Sequence, residues 1–234
     1  VRDRKGGGDE RVLVKTLARL STLYGVLGRD GDVGATTAEL VDRLDALGES
    51  RQAAQLLKNE AANAFFRRDF EKALDWAERS LERYALTADG GAMVQLLTLC
   101  GCAAHEMGER SAGFRWHLKA CELLPSLDPC PEVAESLEDI AVTLVGDGEH
   151  AVAARLAGCA AVLRRSLHAP INPSASTVYD AAMQVARSSL GDAFAAAWQA
   201  GERGSLADGE RTARRTLERL LASGSNNEVQ TSLS

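Results

Sequence analysis

The sequence predicts an all-α fold, a superhelix of antiparallel helical hairpins closed by a C-terminal helical cap. Three observations lead there. Apolar residues recur at three- and four-residue steps, as in Leu13, Leu17, Leu20, Tyr24 and Leu27, the spacing of one face of an α-helix. No sustained period-two run of β-branched residues occurs, so strands have no support. Small residues and turn residues repeat at an interval of forty, and five prolines in 234 residues leave room for long helices.

Taken in order, residues 1–10 read as a disordered tail. Gly6-Gly-Gly8 is followed by Asp9-Glu10 and not by Lys-Ser, so it is flexible chain and not a phosphate cradle. Residues 11–169 read as four helical hairpins. The clearest runs Leu97-Thr-Leu-Cys-Gly101-Cys-Ala-Ala, then Gly108-Glu-Arg, then Gly113, His117 and Ala120-Cys-Glu-Leu-Leu-Pro125. It has a small residue where the first helix meets the second, a Gly turn, another small residue and a closing Pro. Helices approach closely only where no large side chain intervenes. Forty residues on, Ala141, Gly148, Ala153 and Ala160 take those places; forty back, Ala61, Arg68, Ala73 and Ser80 do. A looser copy sits at Tyr24, Gly31-Asp32-Val33 and Leu40. This order of residues resembles the tetratricopeptide (TPR) pattern, stretched from its roughly 34-residue repeat. The extra length fits longer loops at Ala88-Asp-Gly-Gly91 and Ser126-Leu-Asp-Pro-Cys-Pro131.

Beyond residue 169 the pattern changes. Pro170 and Pro173 break the chain, Asn172 or Ser174 offers a cap, and helices are expected over 175–189, 191–200 and 206–222. Residues 170–222 thus form a capping unit, with Phe194 and Trp198 turned inward to seal the last repeat. Residues 223–234 read as a polar tail.

Several stretches of this second half resemble one bacterial group. They are Ala154-Arg-Leu-Ala-Gly-Cys-Ala-Ala-Val-Leu-Arg-Arg165, Ala169-Pro-Ile-Asn-Pro173, Leu190-Gly-Asp-Ala-Phe-Ala-Ala-Ala-Trp-Gln-Ala-Gly201 and Ser205-Leu-Ala-Asp-Gly-Glu210. They are similar to the C-terminal tetratricopeptide-like region of large LuxR-type transcriptional regulators and signal-transduction ATPases, over roughly residues 130–222. The resemblance implies a non-catalytic interaction or regulatory module. Its partner would be a protein or peptide in the concave groove, or other domains of the parent regulator. No Gly-x-x-x-x-Gly-Lys-Ser/Thr occurs, so the nucleotide-binding domain of such regulators is not in this chain. Residues 220–233 are similar to the middle of a LuxR-type helix-turn-helix, which offers an alternative, a DNA-binding regulator acting through a truncated motif. Asn226 to Ser234 carries one acid and no base, so direct DNA binding by this chain is not expected. Resemblance to tetratricopeptide proteins places Gln55, Lys58, Phe65, Gln95, Cys102, His105, Glu138 and Val142 along the groove.

Composition narrows the functional classes. A net charge of -6 gives no basic field for nucleic acid or anionic lipid. The longest charge-free stretch, between Asp89 and His105, has fifteen residues, short of the ~18 that span a bilayer. Five irregularly spaced cysteines suit reduced thiols, and a cytoplasmic location is expected. Cys102-x-x-His105 and His117-x-x-x-Cys121 are a ligand set that zinc accepts. In the repeat register, however, His117 and Cys121 face the core while Cys102 and His105 face the concave side. No metal or cofactor is therefore expected. Glu135, Glu138 and Asp139 share a face at i, i+3, i+4 and read as a solvated acidic surface. Arg67-Arg68, Arg164-Arg165 and Arg214-Arg215 read as surface doublets for solubility and ion pairing. No Gly-x-Ser-x-Gly elbow is present, and no catalytic residues are expected.

Overall fold

The computed structural model describes residues 3–86 and 89–231, and every regular element in them is helical. Eleven α-helices follow one another among these residues. They are α1 (Asp3–Val26), α2 (Asp30–Ala46), α3 (Ser50–Phe66), α4 (Phe70–Tyr84), α5 (Gly90–Glu106) and α6 (Arg110–Leu123), then α7 (Pro131–Gly146), α8 (His150–Leu167), α9 (Pro173–Leu190), α10 (Ala193–Arg203) and α11 (Leu206–Thr231). A 3₁₀ turn at Leu124–Ser126 follows α6. None of the helices is long and apolar enough to cross a membrane among the described residues.

The first eight helices pair as hairpins: α1 with α2, α3 with α4, α5 with α6, and α7 with α8. Each hairpin turns in three residues, which forces neighbouring helices to run antiparallel. Amphipathic spacing drives the pairing. In α4, Ala73, Trp76, Ala77, Ser80 and Tyr84 lie on one stripe and are buried, while the charged residues between them face out. Local signals set the boundaries. The Asp69 carboxylate accepts the Lys72 N–H at 3.3 Å at the start of α4, and Asp89 accepts the Ala92 N–H at 3.2 Å at the start of α5. Pro131 opens α7, where a missing N–H costs nothing.

The turn between α5 and α6 needs a left-handed residue, and Gly108 supplies it with φ +84°. Its N–H donates to the His105 carbonyl and the Glu109 N–H to the Ala104 carbonyl, closing the end of α5. Arg68, forty residues earlier, adopts φ +63° at the equivalent turn without being glycine. The first hairpin turns on Gly28, with φ +67°, not on Gly31. Gly31 lies in the first turn of α2 and is helical, so the looser copy of the repeat shifts by three residues from its expected alignment.

Helix ends differ from expectation at both termini. Residues 3–10, expected as tail, belong to α1, and Glu10 is tied to α2 by Arg43 at 2.6 Å. Most of the expected tail 223–234 belongs to α11, which runs unbroken through Gly224 to Thr231; residues 232–234 lie outside the described set. Arg219 fastens α11 to Glu149 at 2.8 Å. The helix expected to begin at residue 191 begins at Ala193, because Gly191 takes φ +53°. α9 opens at Pro173, directly after Asn172; the side chain of Ser174 and the residues Thr87 and Ala88 lie outside the described set.

The core forms two clusters that meet at α5 and share Leu81 and Trp116 at their border. Close crossings require the small residues of the repeat. A Cβ on Gly101 would stand 2.5 Å from the His117 ring, and one on Gly113 would stand 2.9 Å from the Gly101 carbonyl oxygen. A second crossing lies outside the repeat. Gly158 of α8 faces the Trp198 carbonyl of α10, and Gly201 of α10 faces the Arg155 carbonyl of α8. Phe194, one turn before Trp198, is buried there while Trp198 is half-buried, their rings 5.9 Å apart.

Candidate functional site

The first helices of the second, third and fourth hairpins, α3, α5 and α7, together with α9 enclose a cleft of about 350 Å³. The forty-residue repeat builds one wall from equivalent positions. Lys58 corresponds to Thr98 and Glu138, Gln95 to Glu135, and Cys102 to Val142. α9 does not belong to the repeat. It folds across α7 and α8 and brings Ala175, Val178 and Tyr179, with Ile171 before it, against the far side of the cleft. Seven of the eight residues expected on the concave face line this one space: Lys58, Phe65, Gln95, Cys102, His105, Glu138 and Val142. Gln55 is outside it. Its amide donates to Asn59 at 2.9 Å and its carbonyl accepts from the Tyr84 hydroxyl at 3.0 Å.

The polar groups of the cleft are ordered across helices. The Lys58 ammonium donates to Gln95 Oε1 at 2.7 Å, and Gln95 Nε2 donates to Glu135 at 2.8 Å, linking α3, α5 and α7. One turn along α7, Asp139 accepts from the Thr98 hydroxyl at 2.8 Å. Glu138 takes two bonds from Arg164, at 3.1 and 2.7 Å, in a bidentate pair. Two expectations are corrected here. Glu135, Glu138 and Asp139 are not a solvated acidic surface, since Glu138 is 5% exposed and all three line the cleft. Arg164 is not a surface residue either: its side chain is 11% exposed and it holds Glu138. The reason is α9, which covers this part of α7.

Burial shapes the protonation of the site. Asp139 is pushed up to about 8 by loss of water and by the neighbouring Glu135 and Glu138 carboxylates. Glu138 is also raised by burial, against the opposing pull of Arg164. Loss of water lowers His105, and the Arg110 charge lowers it further. Its Nδ1 lies 3.7 Å from Asp147 Oδ2, beyond hydrogen-bond reach, while Asp147 pairs with Arg110. Burial raises the Cys102 thiol well above its ordinary value, so this cysteine is a protonated thiol and not a nucleophilic thiolate.

The possible zinc set does not converge. His117 is wholly buried behind α5, held down to about 3 by burial, and its Nε2 pairs with the Thr143 hydroxyl at 2.9 Å. Cys121 is buried as well, while Cys102 and His105 line the cleft. Among the described residues no group of three or more His, Cys, Asp or Glu side chains could hold a metal ion.

Asp139 was read from sequence as part of a solvated acidic face and not as a cleft residue, and the α9 wall was not foreseen. At the repeat-equivalent positions stand Asn59 and Leu99, so the interval of forty carries no sign of a buried acid there. Compared with models of known protein families and with curated proteins, the chain matches none.

Proposed function

We propose that the chain is a non-catalytic interaction module, a tetratricopeptide-like superhelix whose concave cleft receives a peptide segment of a partner protein. The parent would be a bacterial LuxR-type or related ATPase regulator, as the segments between residues 130 and 222 suggest, and the segment bound could also come from another domain of that regulator. The observation that supports this reading is the cleft itself. Residues from three successive repeats, spaced by forty in sequence, converge on one recess with apolar walls and a few oriented polar groups, the usual make-up of a binding site. A DNA-binding reading has less support, because α11 runs as one helix through the segment where a helix-turn-helix would need a break.

The test is to pan a random twelve-residue peptide library on the whole chain and on Val142→Arg, whose long cation would fill the cleft. Peptides enriched on the wild type should lose at least tenfold in affinity for Val142→Arg, with its thermal unfolding unchanged. Equal binding to both would place the site elsewhere and refute the proposal.

A further inference from the structure

We propose that the cleft anchors its peptide by a lysine side chain, the ammonium docking on Asp139 and the methylene stem lying along Leu99, Val142 and Tyr179. The inference rests on the reading of the cleft as a peptide site and adds what the peptide must carry.

Pairing the charges of the cleft leaves one acid over. Lys58 and Glu135 are joined through Gln95. Glu138 is matched by Arg164, and Glu106 at the rim by Arg68 at 3.2 Å. Among the described residues Asp139 has no ion-pair partner: its donor is the Thr98 hydroxyl, on one of its two oxygens, and the Arg164 charge, bound to Glu138, acts on it only from a distance. Ionising a carboxyl group that faces an apolar recess is costly without a counter-charge, and a cation entering the recess removes that cost. Among the described residues around it no free cation is left. Lys58 on α3 and Arg164 on α8 are engaged, while Glu106, Cys102 and His105 on α5, Glu135 and Glu138 on α7 and Tyr179 on α9 are acidic or neutral.

The bonding of Asp139 favours lysine over arginine. A bidentate guanidinium would have to share the oxygen that Thr98 engages, whereas an ammonium is a compact charge that the other oxygen alone can meet. The walls suit the stem, since lysine buries its methylenes along apolar surface while its head seeks a polar group. Binding is coupled to a proton. In the empty cleft burial holds Asp139 largely protonated at neutral pH, and an arriving ammonium favours the ionised form, so docking releases a proton into solvent.

The experiment uses the whole chain and four pools of N-acetylated nine-residue peptides, random except for a central lysine, arginine, norleucine or glutamate. Retention of each pool is read by mass spectrometry at pH 6 and pH 8. The lysine pool should be held at least tenfold better than the norleucine pool, and its advantage should grow from pH 6 to pH 8. Asp139→Asn, which keeps the shape and the Thr98 bond, should erase that advantage. Equal retention of the arginine, norleucine or glutamate pool, or a lysine preference that persists in Asp139→Asn or is unchanged by pH, would overturn the lysine anchor while leaving a peptide site standing. Retention of no pool would overturn both.

Discussion

A single methyl group at Gly101 should destabilise the third hairpin, and removing one imidazole should reverse the sign of that effect. Gly101 sits at the crossing of α5 and α6, where a Cβ would lie 2.5 Å from His117 Cε1, 2.6 Å from Nε2 and 2.7 Å from Nδ1. Carbon contacts relax at about 3.5–4 Å, so the ring must retreat by about 1 Å. It has nowhere to go. His117 is fully buried, and its Nε2 is committed to the Thr143 hydroxyl at 2.9 Å. Overpacking of about 1–3 kcal/mol adds to a strained or lost hydrogen bond of about 1 kcal/mol. Alanine's better helix propensity offsets about 1 kcal/mol. Gly101→Ala should therefore cost about 2 kcal/mol, a fall of about 4–8 °C in Tm for a chain of this size. In a His117→Ala background the obstacle is gone, and Gly101→Ala should stabilise by about 1 kcal/mol, giving a coupling of about 3 kcal/mol. Calorimetric unfolding of the four proteins closes the cycle. The same cost of Gly101→Ala in both backgrounds would refute the assigned crossing.

Two further predictions concern the cleft and the capping helices. Asp139 has its folded-state value raised to about 8, well above the ordinary ~3.9, so the native protein holds an extra proton between those values and loses stability as pH rises from about 4 to 8. Asp139→Asn should match the wild type near pH 4 and unfold at higher temperature at pH 8; an identical offset at both pH values would contradict this. Gly201→Ala should push α10 off α8, because its Cβ meets the Arg155 backbone carbonyl and no side chain can yield. The expected loss is about 2 kcal/mol or more, read by thermal unfolding, and wild-type stability would contradict the close crossing.

The hairpins were legible because helix crossings constrain residue size. Gly101, Gly113, Ala141 and Ala153 mark them in sequence, and the structure buries all four. Even Arg68, an unlikely left-handed residue, could be placed by its register with Gly108. The wall made by repeat-equivalent residues was legible for the same reason. The cleft's other side was not, because α9 lies outside the repeat and its docking on α7 and α8 has no periodic trace. That one helix turns Glu138 and Arg164 from apparent surface charges into a buried pair. Gln55 failed in the opposite sense. The register put it beside Gln95 and Glu135, but the Tyr84 hydroxyl holds it outside the cleft. The expected tails failed because glycine and polar composition argue against helix locally, whereas ion pairs at Glu10 and Arg219 tie α1 and α11 to their neighbours.

The central claim is that a partner segment lies in the cleft between the repeat wall and α9. It is tested most directly by mapping amide chemical shifts of the labelled chain during titration with a peptide enriched by panning. Shifts should gather on Gln95, Thr98, Cys102, Asp139, Val142 and Tyr179, from the three helices α5, α7 and α9 that face one another across the cleft. Shifts confined to α4, α6 or the outer face of α11, with these six amides unmoved, would contradict it.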